Sequence, residues 1–175
     1  AIGSGADNAD IDYQYGSNFT TQSLAFTSAG TPQATTFNPY RSGGYSVYLD
    51  GTGDYLTTGT STDFAFGTGD FTWEMWIYHT VYEPAYLLEF GPNGNRGIHH
   101  ASSQGHLTYY TSTVGISSSL YTTGFGSMSV NTWYHIAAVR DNGTTYLYTN
   151  GVLQTSASDT TDYGSSALRC RIGAY

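Results

Sequence analysis

Two Asn-Gly dipeptides, eight residues apart, constrain this chain more than any other feature. The stretch TWYHIAAVRDNGTTYLYTNGVLQT (residues 132–155) contains Asn142-Gly143 and Asn150-Gly151. A two-residue hairpin turn needs left-handed backbone at both central positions, which Asn and Gly supply at least cost. The flanks are rich in Tyr, Thr, Val and Ile, which fit a pleated surface. Three antiparallel strands in a meander are therefore predicted here.

A second repeated phrase, Gly-Thr-Gly-Asp-aromatic, begins at Gly51 and again at Gly67. Counted as an EF-hand from Asp50, the third position is Thr52 and the twelfth Ser61, where acidic ligands would be required. The nonapeptide calcium repeat of β-helices also fails, because these phrases lie sixteen residues apart and occur twice. The phrases read as two glycine-rich turns, each launching an aromatic-led strand. Asp50, Asp54 and Asp70 stand at these turns and are candidate ligands for one structural calcium ion at a sheet rim. No other feature requires a cofactor.

Composition extends the strand reading to the whole chain. There are 17 Tyr and 22 Gly among 175 residues, with abundant Ser and Thr, and the five basic residues are all Arg. Segments such as YSVYL, YLTT, FTWEMWIYH, AYLLEF and ALRCRIG bring the expectation to about ten or eleven strands, with a hairpin near Ser102–Gly105. An all-β, two-sheet antiparallel jelly-roll sandwich is the predicted class. Residues 1–40 differ: they carry Asp7, Asp10 and Asp12, only short apolar groups, and end at FNPY, where Pro39 opposes pairing. They read as an extended N-terminal arm before a jelly roll over 41–175. The net charge of −8 repels phosphate backbones and anionic lipid, which argues against nucleic acid and membrane-surface partners. No apolar run is long enough for a membrane span. The lone cysteine, Cys170, cannot close an intrachain disulfide.

The segment YSVYLDGTGDYLTTGTSTDFAFGTGDFTWEMWIYHT resembles the opening of laminin G-like, concanavalin A-like jelly-roll domains. NTWYHIAAVRDNGTTYLYTNGVLQTSASD is similar to the family's later Trp-x-His-x-Ala strand and Asn-Gly hairpin, and LRCRIGAY to its Ile-Gly segment. Together they cover about residues 45–175. The arm NFTTQSLAFTSAGTPQATTFNPYRSGGYSVYLDG resembles those preceding the domain in tailed-phage, especially marine, virion and tail-fibre proteins. The family usually continues past Ile-Gly into a last strand beside the first, whereas this chain ends at Tyr175. The resemblance thus implies either a fragment or an edge at Tyr45–Leu49 covered by residues 10–40 or by another chain.

Bond-breaking chemistry is not expected. A retaining glycosidase needs two carboxyl groups about 5–5.5 Å apart. On the FTWEMWIYH strand the same-face neighbours of Glu74 are Thr72, Trp76 and Tyr78, and Glu89 is alone on its strand. Cys170 is expected in the core, because Arg169 and Arg171 share the opposite face. His99 and His106 fall on one face of the expected hairpin, but two imidazoles do not complete a zinc site.

Recognition is expected instead. Sugars present flat C–H faces rimmed by hydroxyls, which aromatic platforms with polar neighbours match. Between Tyr82 and Tyr121 the candidate ligand-binding residues are Tyr86, Asn93, Asn95, Arg96, His99, His106, Tyr109, Tyr110 and Tyr121. Trp73, Trp76 and Trp133 are assigned to the core. The expected function is a non-catalytic adhesion module, extracellular or on a virion surface, binding a cell-surface or matrix glycan through rim loops. The alternative is a structural virion component, a decoration or fibre subunit. Its arm and sheet edge would join other subunits, including copies of itself. An animal-type matrix domain, glycosylated at Asn18 or Asn142, fits less well without disulfides.

Overall fold

The structure, a computed structural model, describes residues 8–13, 22–35, 45–90, 96–100, 107–111, 119–121, 125–164 and 167–174. In chain order the strands are β1 (Asn8–Tyr13), β2 (Gln22–Ala29), β3 (Gln33–Thr35), β4 (Ser46–Tyr48), β5 (Tyr55–Thr58), β6 (Phe71–Tyr78) and β7 (Ala85–Phe90). They continue as β8 (Arg96–His100), β9 (Leu107–Thr111), β10 (Ser119–Tyr121), β11 (Trp133–Asp141), β12 (Thr144–Thr149), β13 (Val152–Ser158) and β14 (Cys170–Ala174). Among the described residues, the helical content is one 3-10 turn at Thr62–Phe64.

Two antiparallel sheets form the layers of the sandwich. The larger has eight strands in the order β1-β2-β5-β14-β7-β8-β9-β10, and the smaller four, β13-β12-β11-β6. The predicted meander is β11-β12-β13. Its turns carry φ of 47° and 72° at Asn142-Gly143 and 51° and 76° at Asn150-Gly151, the left-handed pairs a tight hairpin needs. The repeated Gly-Thr-Gly-Asp phrase resolves into two turns that deliver the chain to opposite layers. The first enters β5 in the eight-stranded sheet and the second β6 in the four-stranded sheet.

Much of the arm is built into strands. β1 and β2 pair as a hairpin, and β2 adds to β5 with Phe26 opposite Thr58. β3 pairs with β4, so residues 33–35 lie beside the strand at residues 46–48 whose exposed edge the resemblance implied. Asp54, buried at the first turn, ties the arm down by accepting hydrogen bonds from the Thr31 and Asp50 backbone amides. Gly30 sits against this carboxylate with φ of 70°, and a Cβ there would collide with Asp54 Oδ1.

The core lies between the sheets. Alternation sends Phe71, Trp73, Met75 and Ile77 of β6 inward, with Ile136 and Ala138 of β11 and Leu147 of β12. They meet Leu88 and Phe90 of β7, Ile98 of β8, and Leu107 and Tyr109 of β9. Trp73 stacks on Phe90 across the layers with ring centroids 3.7 Å apart and 23° between planes. Cys170 is buried, as expected, and burial, with the Glu89 charge second, pushes its thiol up to about 12.

A polar network crosses this core. Asp159 is fully buried and accepts hydrogen bonds from Thr145 Oγ1 (2.6 Å), Tyr163 Oη (2.8 Å) and the Thr161 amide (3.0 Å). Tyr109 in the opposite sheet donates to Tyr163 Oη at 3.1 Å, completing a relay from β9 to Asp159. Burial alone would raise the Asp159 carboxyl, but these donors outweigh it and hold it below the ordinary value. Arg140, also buried, donates to the Asp159 and Thr161 carbonyls and lies over the Tyr163 ring.

Candidate functional site

The four-stranded sheet turns an aromatic face outward. Because strand residues alternate, β6 residues 72, 74, 76 and 78 point away from the core that 71, 73, 75 and 77 build. The β6–β11 register places Tyr78 opposite Trp133, Trp76 opposite His135, Glu74 opposite Ala137 and Thr72 opposite Val139. On the other flank, β12 sets Tyr148 opposite Ala137 and Tyr146 opposite Val139. Directly opposed residues share a face, so Trp76, Tyr78, Trp133, His135, Tyr146 and Tyr148 form one surface, each half-buried.

The centre of this surface is its smallest side chain. Ala137 forms a floor between Glu74 on one side and Tyr148 on the other, with His135 next outward along β11. Trp76 and His135 have ring centroids 5.4 Å apart at 55°, and Tyr78 and Trp133 5.3 Å apart at 52°. The tilted rings present both faces and edges. Glu74 is well exposed at 64%, and its Oε2 lies 3.5 Å from His135 Nε2. That distance is long for a hydrogen bond, so the carboxylate keeps most of its acceptor capacity for a ligand. Chemically, the face offers apolar ring surface, a small-residue floor, and a carboxylate and imidazole that can meet hydroxyl or amino groups.

The family model described as the concanavalin A-like lectin/glucanases superfamily matches residues 50–174. The chain belongs to this superfamily. No curated protein matches the chain. Among solved structures it is similar to domain 4 of AbnA, an extracellular arabinanase from Geobacillus stearothermophilus, in complex with arabinotriose. The identity is 17% and the TM-score 0.59, over 83% of this chain and 77% of that one. It is also similar to the binding domain of botulinum neurotoxin DC in complex with SialylT, at 14% identity and a TM-score of 0.59, over 87% of this chain and 39% of that one. At these identities the likeness is one of fold.

Within this superfamily fold, the residues expected to bind ligand fall on a different part of the molecule. Tyr86, Arg96, His99, Tyr109, Tyr110 and Tyr121 lie on the consecutive strands β7, β8, β9 and β10 of the eight-stranded sheet. Tyr86 pairs with His99, Gly97 with Tyr110, and Tyr109 with Tyr121. Tyr109 is a correction. Its ring is 1% exposed in the core and its hydroxyl is committed to Tyr163, so it cannot line a surface. Tyr86 and Tyr110 are half-buried. Asn93, Asn95 and His106 lie outside the described residues, as do the side chains of Arg96, His99 and Tyr121. The expected turn at 102–105 also lies outside them, although His100 pairs with Leu107 in the register such a turn would close.

The three candidate calcium ligands are not brought together. Asp50 accepts from the Thr52 amide, Asp54 from Thr31 and Asp50, and Asp70 from the Asn142 amide at the β11–β12 turn. Among the described residues no three His, Cys, Asp or Glu side chains gather as metal ligands. The two strand carboxylates considered for catalysis are divided between the sheets. Glu74 has the outward surroundings read from alternation, and Glu89 is buried in the eight-stranded sheet, 3.4 Å from Arg171. No helix of the described residues is long and apolar enough to cross a membrane.

Trp76 and Trp133 are the second correction. Assigned to the core, both stand on the outward face. The signal that finds Trp76 is the parity of FTWEMWIYH: Glu74 and Thr72 mark the solvent side, and Trp76 and Tyr78 share it.

Proposed function

We propose that this protein is a non-catalytic glycan-binding module that acts outside the cell or on a virion surface. The half-buried aromatic face around Ala137 carries this reading. A surface of tilted Trp and Tyr rings with a projecting carboxylate is a poor solvent boundary, but it suits a saccharide's C–H face and hydroxyl rim. The saccharide-bound structures of the arabinanase domain and the toxin binding domain support the same reading. The separation of Glu74 and Glu89 into different sheets supports a role in binding rather than hydrolysis.

A glycan array probed with the whole chain tests this. Binding to at least one saccharide class is expected, and titration should show Trp76→Ala weakening it by about tenfold or more, ~1.4 kcal/mol. Silence across the array would overturn the reading.

One observation favours assembly as a second reading. Among the described strands β13, VLQTSAS, lies at the edge of its sheet and carries no charge, and its Val152 and Leu153 are 62% and 49% exposed. Edge strands are ordinarily protected by charge or cover, so this one suits pairing with another copy of the chain. Sedimentation velocity should then show a concentration-dependent oligomer that Leu153→Lys converts to monomer. A wild-type chain that stays monomeric at every concentration excludes this interface.

A further inference from the structure

The charge carried by the aromatic face narrows the class of ligand, and this step rests on the glycan-binding reading above. We propose that the face selects saccharides bearing free amino groups over neutral and anionic ones. The geometric basis is Glu74, a 64% exposed carboxylate set among Trp76, His135 and Tyr148 above the Ala137 floor. Continuing the same outward parity, Asp70 and Asp141 stand at the entry to β6 and the exit of β11, and both are exposed.

No arginine or lysine balances these carboxylates on the sheet itself. The one arginine among its four strands, Arg140, points inward and is spent on the Asp159 and Thr161 carbonyls. The chain has no lysine, and its net charge is −8. Among the described residues His135 is the base beside Glu74, and at 3.5 Å it leaves the Glu74 oxygens with unused lone pairs.

Three ligand classes would meet this surface differently. A sulfated, sialylated or uronic saccharide would bring anions toward carboxylates, an arrangement that costs affinity and slows encounter. A neutral saccharide would cover the rings and could donate hydroxyls to Glu74, but would leave its charge unneutralised. An amino saccharide covers the same rings, places an ammonium against the carboxylate, and gains cation–π attraction from Trp76 or Tyr148. It satisfies every group the face presents.

The test is calorimetric titration of the whole chain with three tetramers: fully deacetylated chitosan, its N-acetylated counterpart, and cellotetraose. The pH is mildly acidic so that the amines are protonated, and the titrations are run at low and high salt. The deacetylated tetramer is expected to bind about tenfold tighter than either neutral one at low salt, with the margin shrinking at high salt. Glu74→Gln should remove that margin, the deacetylated tetramer losing more affinity than either neutral one, with an unchanged melting temperature because the side chain is exposed. Equal affinity for all three tetramers would overturn the amino preference and leave glycan binding standing. No binding to any of the three, with the array also silent, would take both readings down. A preference that survives in Glu74→Gln would assign the attraction to the overall charge of the chain and overturn the role of this face.

Discussion

Replacing Asp159 with alanine is expected to lower the unfolding free energy by about 3–5 kcal/mol and the melting temperature by roughly 10 °C. Asp159 is fully buried, and its carboxylate is the shared acceptor for Thr145, Tyr163 and the Thr161 amide. Truncation removes an acceptor shared by two buried hydroxyl donors and the end point of the Tyr109–Tyr163 relay that joins the sheets. Asn keeps the shape and one acceptor, so Asp159→Asn should cost less. Acid should show the same dependence. The folded carboxyl lies below its usual value of 3.8, so its contribution is complete above that value and is lost as pH falls through the folded pKa. Between about pH 5 and 2 the wild-type melting temperature should therefore fall more steeply than that of Asp159→Asn. Parallel acid profiles for the two proteins would remove Asp159 from this role.

The strand order was legible where turn chemistry is local. Asn142-Gly143 and Asn150-Gly151 can only be low-cost hairpin positions, and the meander they define is the one observed. The repeated Gly-Thr-Gly-Asp phrase was read as two turns, and it is two turns. What sequence could not supply was which layer each turn feeds, because partner choice among strands is non-local. Thus β14, last in the described chain, lies between β5 and β7. The arm looked extended because β1, β2 and β3 are separated by polar stretches. Its pairing with β5 and β4 depends on partners in the body of the domain.

The site was less legible, for a physical reason. Choosing ligand residues by aromatic density across 82–121 ignores alternation, so it gathered Tyr109, which the core holds, along with Tyr110, its half-buried neighbour. The tryptophans were all assigned inward, although alternation puts Trp73 and Trp76 on opposite faces of one strand. On a strand, parity decides. Glu74 faces solvent, and every second residue from it follows. The buried polar network was hidden for another reason: nothing in Asp159 or Tyr163 marks them as partners until the chain after β13 folds back over Arg140.

Two tryptophans three residues apart on β6 should separate stability from recognition. Trp73 faces inward, stacked on Phe90 at 3.7 Å and edge-on to Phe66 at 4.8 Å. Trp73→Ala opens a large cavity between the sheets and is expected to cost about 3–5 kcal/mol. Below its lowered melting temperature, such a variant should still bind saccharide, because the outward face is built from the other parity. Trp76→Ala should do the reverse. Its ring is half-buried against His135, so about 1 kcal/mol of stability is lost while saccharide affinity falls by about tenfold. Thermal melts of both variants, paired with titrations at a temperature where each is folded, read the two quantities separately. If Trp76→Ala unfolds the chain, or Trp73→Ala abolishes binding while Trp76→Ala spares it, the division of β6 into a core face and a ligand face is wrong.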